Sequence, residues 1–203
     1  EEELLNRNVV ATDATPVTVN GIQDYIRNTS TEESVVYYAM KDKTIESLKK
    51  VPFFAAYSGI LVHDHETALY HFGTGHGECN AHLLRYLKKN TEETGNGWSL
   101  KMMELFRRMN RERKELIRAG VSFFPAAAIG SFEREYGDLI EKGRRENKTT
   151  AHRYAKEDEK TLLNRLEKYG RNHLLFLHDF RVPFDDNISE RDFKKAKNRR
   201  KMA

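Results

Sequence analysis

Residues 8–40 have the sequence NVVATDATPVTVNGIQDYIRNTSTEESVVYYAM, and this stretch decides the fold class. Asn20-Gly21 stands between two runs of alternating character, which is the strongest short-range signal for a tight β-hairpin. A polar turn follows, and residues 34–40 are rich in β-branched and aromatic side chains, which favour strands. The stretch therefore predicts three consecutive strands in an antiparallel meander, beginning with the short run Val9–Thr12 that ends at Asp13.

The chain changes character after the meander. Residues 44–48 have a helical period, and Ile60–Val62 is a short, wholly apolar run that ends at His63-Asp64. Such a run is typical of a central strand that is buried on both faces. A meander, a helix and then a buried strand is the order that opens a ribonuclease-H-like fold. The predicted class is therefore α/β, with a mixed sheet that combines an antiparallel meander with buried parallel strands.

Residues from about 83 to 180 are mostly helical in pattern. The clearest apolar stripe, at spacings of four, three and four residues, is formed by Trp98, Met102, Leu105 and Met109. Such stripes predict core-facing helices, and we assign them no cofactor. We predict the first part of a core in residues 1–89, a large helical insertion in residues 90–180, and a last catalytic helix with a basic tail in residues 181–203.

The chain of 203 residues carries a formal net charge of +4, but this charge is distributed unevenly. Residues 188–203 contain seven basic and two acidic side chains, so the rest of the chain is close to neutral. A second basic stretch runs over residues 101–118. Basic stripes on helices are the electrostatic footprint of binding to a phosphate backbone, although a solvated helix face has the same composition.

Composition excludes several classes of protein. The mean hydropathy is −0.76, and no apolar run approaches the roughly 18 residues of a membrane helix, so we expect no membrane partner. The single cysteine, Cys79, excludes an internal disulfide framework. The acidic start of the chain does not resemble a signal peptide, which leaves the cytoplasm as the expected location. Because the sequence lacks an initiator Met, we expect it to be a fragment of a longer protein.

Three acidic residues stand at the ends of predicted elements. Asp13 and Asp64 each end a predicted strand, and Glu190 lies in the first turn of the final helix. That helix is predicted to begin at Ile188, with Asn187 and Glu190 at the spacing of a capping box. Three carboxylates from separate elements can bind two divalent cations, and their hard oxygens favour Mg²⁺ or Mn²⁺. Two ions about 4 Å apart serve in-line phosphoryl transfer, whereas helix capping or dipole interactions explain any one carboxylate equally well.

A second group of candidate ligands is formed by His76, Cys79 and His82, with the spacing H-x2-C-x2-H. Histidine and cysteine are the usual zinc ligands, but structural zinc sites have four ligands and a fourth is not evident in the sequence, although Glu78, His71 or a remote histidine could serve. Support of the active-site wall is the favoured interpretation. Structural Zn²⁺, and an ordinary buried cysteine beside a hydrogen-bonded histidine, are the alternatives.

Two longer motifs are more specific than any single residue. The first is GILVHD at residues 59–64, followed by HGECNAHLLR at residues 76–85, and the second is VPFDDNISERDFK at residues 182–194. Both resemble the catalytic domain of bacterial transposases of the insertion-sequence sixty-six family, and Trp98 near the start of a helix also fits. The resemblance covers nearly the whole chain, from about residue 8 to residue 203.

The resemblance implies a DDE transposase with a ribonuclease-H-like core, which cleaves DNA strands and transfers them to a target. Asp13, Asp64 and Glu190 would be its catalytic triad and would bind two Mg²⁺ or Mn²⁺ ions. Four basic residues after Glu190 would hold backbone phosphates near the metals: Arg191, Lys194, Lys195 and Lys197. The implied partners are DNA at the element ends and at the target, a second copy of the chain on paired ends, and accessory proteins of the element.

The chain departs from the family pattern at two positions. Ala14 stands where the family usually has a glutamate, so any auxiliary role of that carboxylate is absent. Asp186 replaces the first of two asparagines and places an extra negative charge near the metals, where it could alter metal affinity or cap the helix. The family's amino-terminal DNA-binding region is not in the sequence, so we expect the catalytic part alone.

Two other functions fit the same sequence. A ribonuclease-H-like nuclease would cleave DNA without strand transfer, so its products would contain no joined strands. A degenerate DNA-binding module would bind DNA without metal and without catalysis. The intact triad argues against the second alternative.

Overall fold

In the computed structural model, which describes residues 1–193, the Asn20-Gly21 turn joins the two longest strands. Both turn residues have positive φ, 51° and 80°, as a two-residue type I′ hairpin requires. The strands are β1 (Val9–Val19), β2 (Ile22–Ser30), β3 (Val35–Met40), β4 (Ile60–His63) and β5 (Gly75–Glu78). The predicted hairpin is therefore confirmed.

The five strands form one sheet in the order β3-β2-β1-β4-β5. β1, β2 and β3 pair antiparallel, which confirms the predicted meander. β4 runs parallel to β1, and β5 runs parallel to β4. The class is therefore α/β with a mixed sheet, as the sequence predicts.

The prediction that the first strand ends at Asp13 is wrong, because β1 continues through Pro16 to Val19. The hairpin register pairs Val19 with Ile22 and extends without a break to the other end of the ladder. β4 covers only the first part of β1, so Pro16 lies where β1 has a free side, and a sheet tolerates proline there. Asp13 consequently lies within a long strand, and the residues before and after it pair with β2.

β5 has the sequence GHGE, which carries no strand signal, and the sequence analysis missed it. Gly77 explains why this strand is poor in side chains. A Cβ atom at Gly77 would lie 2.9 Å from Cγ1 of Val182 and 3.2 Å from Cγ2 of Val62. The strand therefore needs a glycine where the side chains of Val182 and Val62 pack directly against it.

The chain divides into two compact units. The sheet unit is Glu1–Cys79 together with the described residues after Phe180, and the helical unit is Asn80–Phe180. Beside the sheet, the sheet unit contains α1 (Glu2–Leu5), α2 (Ile45–Lys49), α3 (Pro52–Ala56) and a 3₁₀ helix (Thr67–His71). Its apolar core includes the fully buried side chains Val10, Leu48, Phe53, Leu61 and Leu69. The assignment of the helical unit as an insertion into a catalytic core stays a prediction.

The helical unit contains four long helices and two short ones. They are α4 (Asn80–Thr94), α5 (Gly97–Arg118), α6 (Ala126–Thr149), α7 (Arg153–Lys168), α8 (Gly170–His173) and α9 (Leu175–His178). The predicted apolar stripe on α5 is buried, with all four members at most 1% exposed. Gly95 and Gly120 follow α4 and α5 with φ of 71° and 75°, the left-handed geometry that ends a helix. None of the helices within residues 1–193 is both long enough and apolar enough to cross a membrane.

Candidate active site

Asp13 is held in place by the strand next to it. Its backbone N–H donates to Oδ1 of Asn28 on β2 at 3.0 Å, and its own Oδ1 accepts the backbone N–H of Ala14 at 2.7 Å. Asn28 is fully buried, so this contact is shielded from water. Asp13 is itself half-buried, which leaves part of its carboxylate accessible from one side of the sheet.

Asp64 directly follows β4, the strand that pairs with β1. β1 and β4 pair in parallel with Val9 opposite Ile60 and Ala11 opposite Val62. Continuing this register by two residues sets Asp64, which directly follows β4, beside Asp13. Adjacent strands are about 4.8 Å apart, and residues level with each other point to the same face. The first two predicted carboxylates are therefore brought together by the sheet.

Glu190 lies on a C-terminal helix that begins at residue 187 and is described to residue 193. Three hydrogen bonds tie this helix and the turn before it to the sheet unit. Nδ2 of Asn28 donates to the carbonyl of Ser189 at 3.1 Å, Tyr37 donates to the carbonyl of Asp192 at 3.0 Å, and the Asp186 N–H donates to Sγ of Cys79 at 3.2 Å. Asn28 thus contacts the backbone of Asp13 with one end of its amide and the helix of Glu190 with the other.

The C-terminal helix begins one residue earlier than predicted, and the predicted capping box of Asn187 and Glu190 is wrong. Asp186 is the N-cap instead: its carbonyl accepts the Glu190 N–H at 3.3 Å, and its carboxylate accepts the Ser189 N–H. Aspartate is among the best N-cap residues, so it takes this place from the asparagine that follows. Capping is one of the two roles that the sequence left open for Asp186.

Asp186 adds a further carboxyl group to the site. It is 2% exposed, and its Oδ1 has no hydrogen-bond partner among the described residues. Burial raises the pKa of the Asp186 carboxyl well above its usual range, and the negative charges of Asp13 and Glu190 raise it further. A hydrogen bond from Ser189 acts in the opposite direction. Three carboxyl groups from two separate segments therefore repel one another here.

The donor set suits a hard divalent cation. Asp13, Asp64, Glu190 and the unsatisfied Oδ1 of Asp186 offer oxygen ligands only, which is the preference of Mg²⁺ and Mn²⁺. A cation would also relieve the repulsion among the carboxylates. As the side chains stand within residues 1–193, no three His, Cys, Asp or Glu residues are grouped closely enough to hold one metal ion.

An open depression of about 330 Å³ makes Glu190 accessible to a substrate, and Asn187, Ile188, Glu190 and Arg191 line it. The Arg191 side chain is 51% exposed and lies 3.8 Å from Asp192, so its guanidinium can reach an anion in the depression. Lys194, Lys195 and Lys197, the other predicted phosphate-binding residues, lie outside the described residues.

A polar cluster on the opposite face of the sheet holds the loop that follows Asp64. Nδ1 of His65 lies 2.6 Å from Oε1 of the fully buried Glu78 side chain, and Tyr70 donates to the same oxygen. His65 has φ of 34°, a left-handed conformation that is strained for histidine and is kept by such contacts. The sequence offers Glu78 only as a conceivable fourth zinc ligand, because one glutamate at the end of a glycine-rich strand has no pattern that indicates this contact with His65.

Arg27 also contacts the loop that follows Asp64, through an ion pair with Glu66. It is fully buried, pairs with Glu66, and donates to Oγ1 of Thr12 at 3.2 Å. Thr12 precedes Asp13 on β1, and Glu66 follows Asp64 by two residues. A single buried arginine therefore connects the two segments that carry the first two candidate catalytic residues.

His76 and Cys79 belong to the sheet unit. Nδ1 of His76 lies 3.3 Å from Nε2 of His63, and burial lowers the pKa of His63 to about 3, so this ring is neutral at pH 7. Cys79 is 1% exposed and accepts the hydrogen bond from Asp186 described above. His82 belongs to α4 in the helical unit. These contacts agree with a supporting role for Cys79, and a zinc ion at this triplet stays a prediction.

A family model described as "Transposase IS66 family" matches residues 1–203, the whole chain. Comparison with curated proteins and with solved structures gives no significant match.

Proposed function

Because the chain belongs to the IS66 family of transposases, we propose that it is a DDE catalytic domain that cleaves DNA strands and transfers them to a target with the help of divalent metal ions. The observation that carries this proposal is the placement of the carboxylates. Asp13 lies on β1, Asp64 directly follows β4, which pairs in parallel with β1, and Asn28 links Asp13 to the helix that bears Glu190. The mixed sheet and its strand order support a ribonuclease-H-like core.

Asp13, Asp64 and Glu190 would hold two Mg²⁺ or Mn²⁺ ions. Bound ions of this kind activate a hydroxyl nucleophile and stabilise the leaving oxygen of an in-line phosphoryl transfer. Asp186 stands where the extra charge could strengthen metal binding, because its Oδ1 is unsatisfied and lies in the field of the other carboxylates.

Arg191 would bind a backbone phosphate in the depression beside Glu190. An arginine in this place positions DNA without reading its sequence, because its guanidinium pairs with phosphate oxygens that every nucleotide carries. Lys194, Lys195 and Lys197 would extend this contact along the strand. The proposed partners are the element ends, the target DNA, a second copy of the chain on paired ends, and accessory proteins of the element. The proposed location is the cytoplasm.

The proposed function is tested by a cleavage and strand-transfer assay on duplex DNA that carries the terminal sequence of the element encoding this chain. We expect cleaved and joined products with Mn²⁺ or Mg²⁺, no products with EDTA, and no products from Asp64→Asn. Cleaved products without joined ones would identify a nuclease that lacks strand transfer. Equal activity in Asp64→Asn would contradict the proposed mechanism, and DNA binding without cleavage at any metal concentration would favour a non-catalytic DNA-binding module.

Asn28→Ala is expected to lower cleavage by about 10- to 100-fold, the usual effect of removing a group that orients metal ligands. The substitution leaves the Asp13 N–H and the Ser189 carbonyl without their partner in a buried place, at a cost of about 1–3 kcal/mol for each group. The measurement is the Mn²⁺ concentration that gives half-maximal cleavage, compared with the midpoint of thermal unfolding. Gln23→Ala, an exposed amide on the same strand, is the control and should change neither quantity. A lower unfolding midpoint with an unchanged Mn²⁺ requirement would mean that Asn28 is only structural.

A further inference from the structure

α5 has two faces of different character. Its apolar face is buried in the helical unit through the stripe described above. Four basic side chains at spacings of four, three and four residues lie exposed on another face: Arg107, Arg111, Lys114 and Arg118. We call this set the basic face of α5.

Two other arginines of the same helix, Arg108 and Arg113, have partners in the protein. Arg108 pairs with Glu135 on α6. Arg113 is 9% exposed, donates to the carbonyl of Phe180, and lies 5.2 Å from the centre of the Phe180 ring. Their charges are used to hold the helical unit together, so they are not available to a ligand.

The basic face differs from many of the exposed cations of the helical unit, which form ion pairs, although Lys101, Arg134 and Lys148 are also exposed and lack one among the described residues. On α4, α6 and α7, lysines and arginines pair with carboxylates within one turn or on a neighbouring helix: Lys88–Glu92, Lys89–Glu93, Lys142–Glu146, Arg144–Glu167, Arg145–Glu141 and Lys160–Glu157. Within the part of the chain that the structure describes, none of the four side chains of the basic face forms an ion pair with a carboxylate. Glu115 lies one turn from both Arg111 and Arg118, so an ordinary solvated face would be expected to pair them.

This arrangement is unfavourable for the helix alone. Like charges three or four residues apart destabilise a helix by about 0.2–0.5 kcal/mol per pair. The four side chains of the basic face form three such pairs in succession. An anionic partner would turn that repulsion into attraction. From Arg107 to Arg118 the helix rises by eleven residue steps, or about 16 Å. This length corresponds to about five phosphates along one strand of duplex DNA. The length and spacing of the charges therefore match a phosphate backbone.

We propose that the basic face of α5 binds the phosphate backbone of duplex DNA, as a contact surface within the helical unit. Arginine is well suited to this contact, since its guanidinium donates two parallel hydrogen bonds to phosphate oxygens. The contact is independent of sequence and holds DNA on the protein without reading its bases. It needs no metal and does not rest on the proposed catalytic activity.

The test measures the binding of the full chain to a fluorescein-labelled 30-base-pair duplex by fluorescence anisotropy between 50 and 200 mM KCl. In the test variant the basic face is neutralised by Arg107→Gln, Arg111→Gln, Lys114→Gln and Arg118→Gln. Each lost phosphate contact removes about 0.9 from the slope of log K against log salt. We expect the slope to become shallower by about 3 to 4. The affinity at 50 mM KCl should fall more than about tenfold.

The control removes the same number of charges from ion-paired positions of the same unit. It carries Lys88→Gln, Lys89→Gln, Arg144→Gln and Arg145→Gln, and we expect the slope to change by less than about 1. A second variant, with Arg107→Lys, Arg111→Lys and Arg118→Lys, keeps the charge of the basic face and should retain most of the salt dependence. Circular dichroism of every variant separates loss of binding from loss of folding.

An unchanged slope in the neutralised variant would overturn the proposal, and so would an equal loss in the control or no binding of the duplex by the unmodified chain. Duplex binding that depends on the basic face, in a protein that never cleaves DNA, would support this surface while contradicting the proposed function. The two failures are therefore distinguishable.

Discussion

Glu190→Gln is expected to reduce metal-dependent strand cleavage by about three orders of magnitude. Glutamine has nearly the same size as glutamate, and the backbone hydrogen bond from the N–H of residue 190 to the Asp186 carbonyl does not depend on the side chain, so the helix should stay in place. The variant removes one negative ligand from a site whose metal ions supply several kcal/mol of transition-state stabilisation. A loss of about 4 kcal/mol corresponds to about a thousandfold decrease in rate.

The measurement is the single-turnover cleavage rate at saturating Mn²⁺ on element-end duplex, with Glu46→Gln as the matched control. Glu46 lies on α2 in the same unit, is 76% exposed, and pairs only with Lys49, three residues away, so its replacement should leave the rate unchanged. DNA affinity should be retained in Glu190→Gln, because the proposed phosphate contacts use other residues. A rate within twofold of the unmodified chain would remove Glu190 from the catalytic site.

Glu159→Gln is expected to destabilise the protein by about 2–5 kcal/mol, because it disrupts a hydrogen-bond network around one fully buried carboxylate. Oε1 of Glu159 accepts Nε1 of Trp98 at 2.6 Å, with Asn96 at 2.8 Å and Asn90 at 3.2 Å. Oε2 accepts Asn147 and Thr150, both at 2.9 Å. A glutamine amide would turn one of these oxygens into a donor that faces other donors, so buried N–H groups would lose their partners.

Urea unfolding followed by tryptophan fluorescence measures this effect directly, because Trp98 is the only tryptophan and donates to Glu159 itself. Glu157→Gln is the control on the same helix: its side chain is 65% exposed, and it should change the free energy of unfolding by less than about 0.5 kcal/mol. Equal stability of Glu159→Gln and the unmodified chain would show that the network contributes nothing.

The same network predicts how stability depends on pH. Burial alone would raise the pKa of Glu159, but hydrogen bonds from Asn96, Trp98, Asn147 and Asn90 outweigh it and lower the pKa below its ordinary value. A carboxyl with a lower pKa in the folded state stabilises the protein above its unfolded pKa, near 4.5. That contribution is lost as the pH falls through the folded value. Glu159→Gln should therefore be less sensitive than the unmodified chain to acid below about pH 4.5.

Local signals in the sequence predict the meander and the helices. The Asn20-Gly21 turn sets the hairpin register by itself, and the apolar period of α5 specifies a buried face. The end of β1 could not be predicted in the same way, because proline at position 16 is acceptable only when the neighbouring strand stops short of it. The point at which β4 stops is determined by the sheet as a whole and not by the residues around Pro16.

The sequence predicts the acidic residues of the candidate site, but it does not predict the groups that hold them in place. Asp13, Asp64 and Glu190 follow recognisable runs and motifs, so a sequence can point to them. Asn28 is an ordinary polar residue in a strand, and its importance comes from two partners 15 and 161 positions away. Such long-range hydrogen bonds have no period or spacing, and only the folded chain reveals them.

The central claim is that Asp13, Asp64 and Glu190 together hold divalent metal, and a crystal structure of the chain soaked with Mn²⁺ tests it most directly. Anomalous density is expected near Asp13 and Asp64, within coordination distance of these two carboxylates and of Glu190. Crystals of Asp64→Asn, soaked in the same way, should lose this density. Well-ordered carboxylates with no anomalous density near them at saturating Mn²⁺, or density bound only elsewhere, would contradict it.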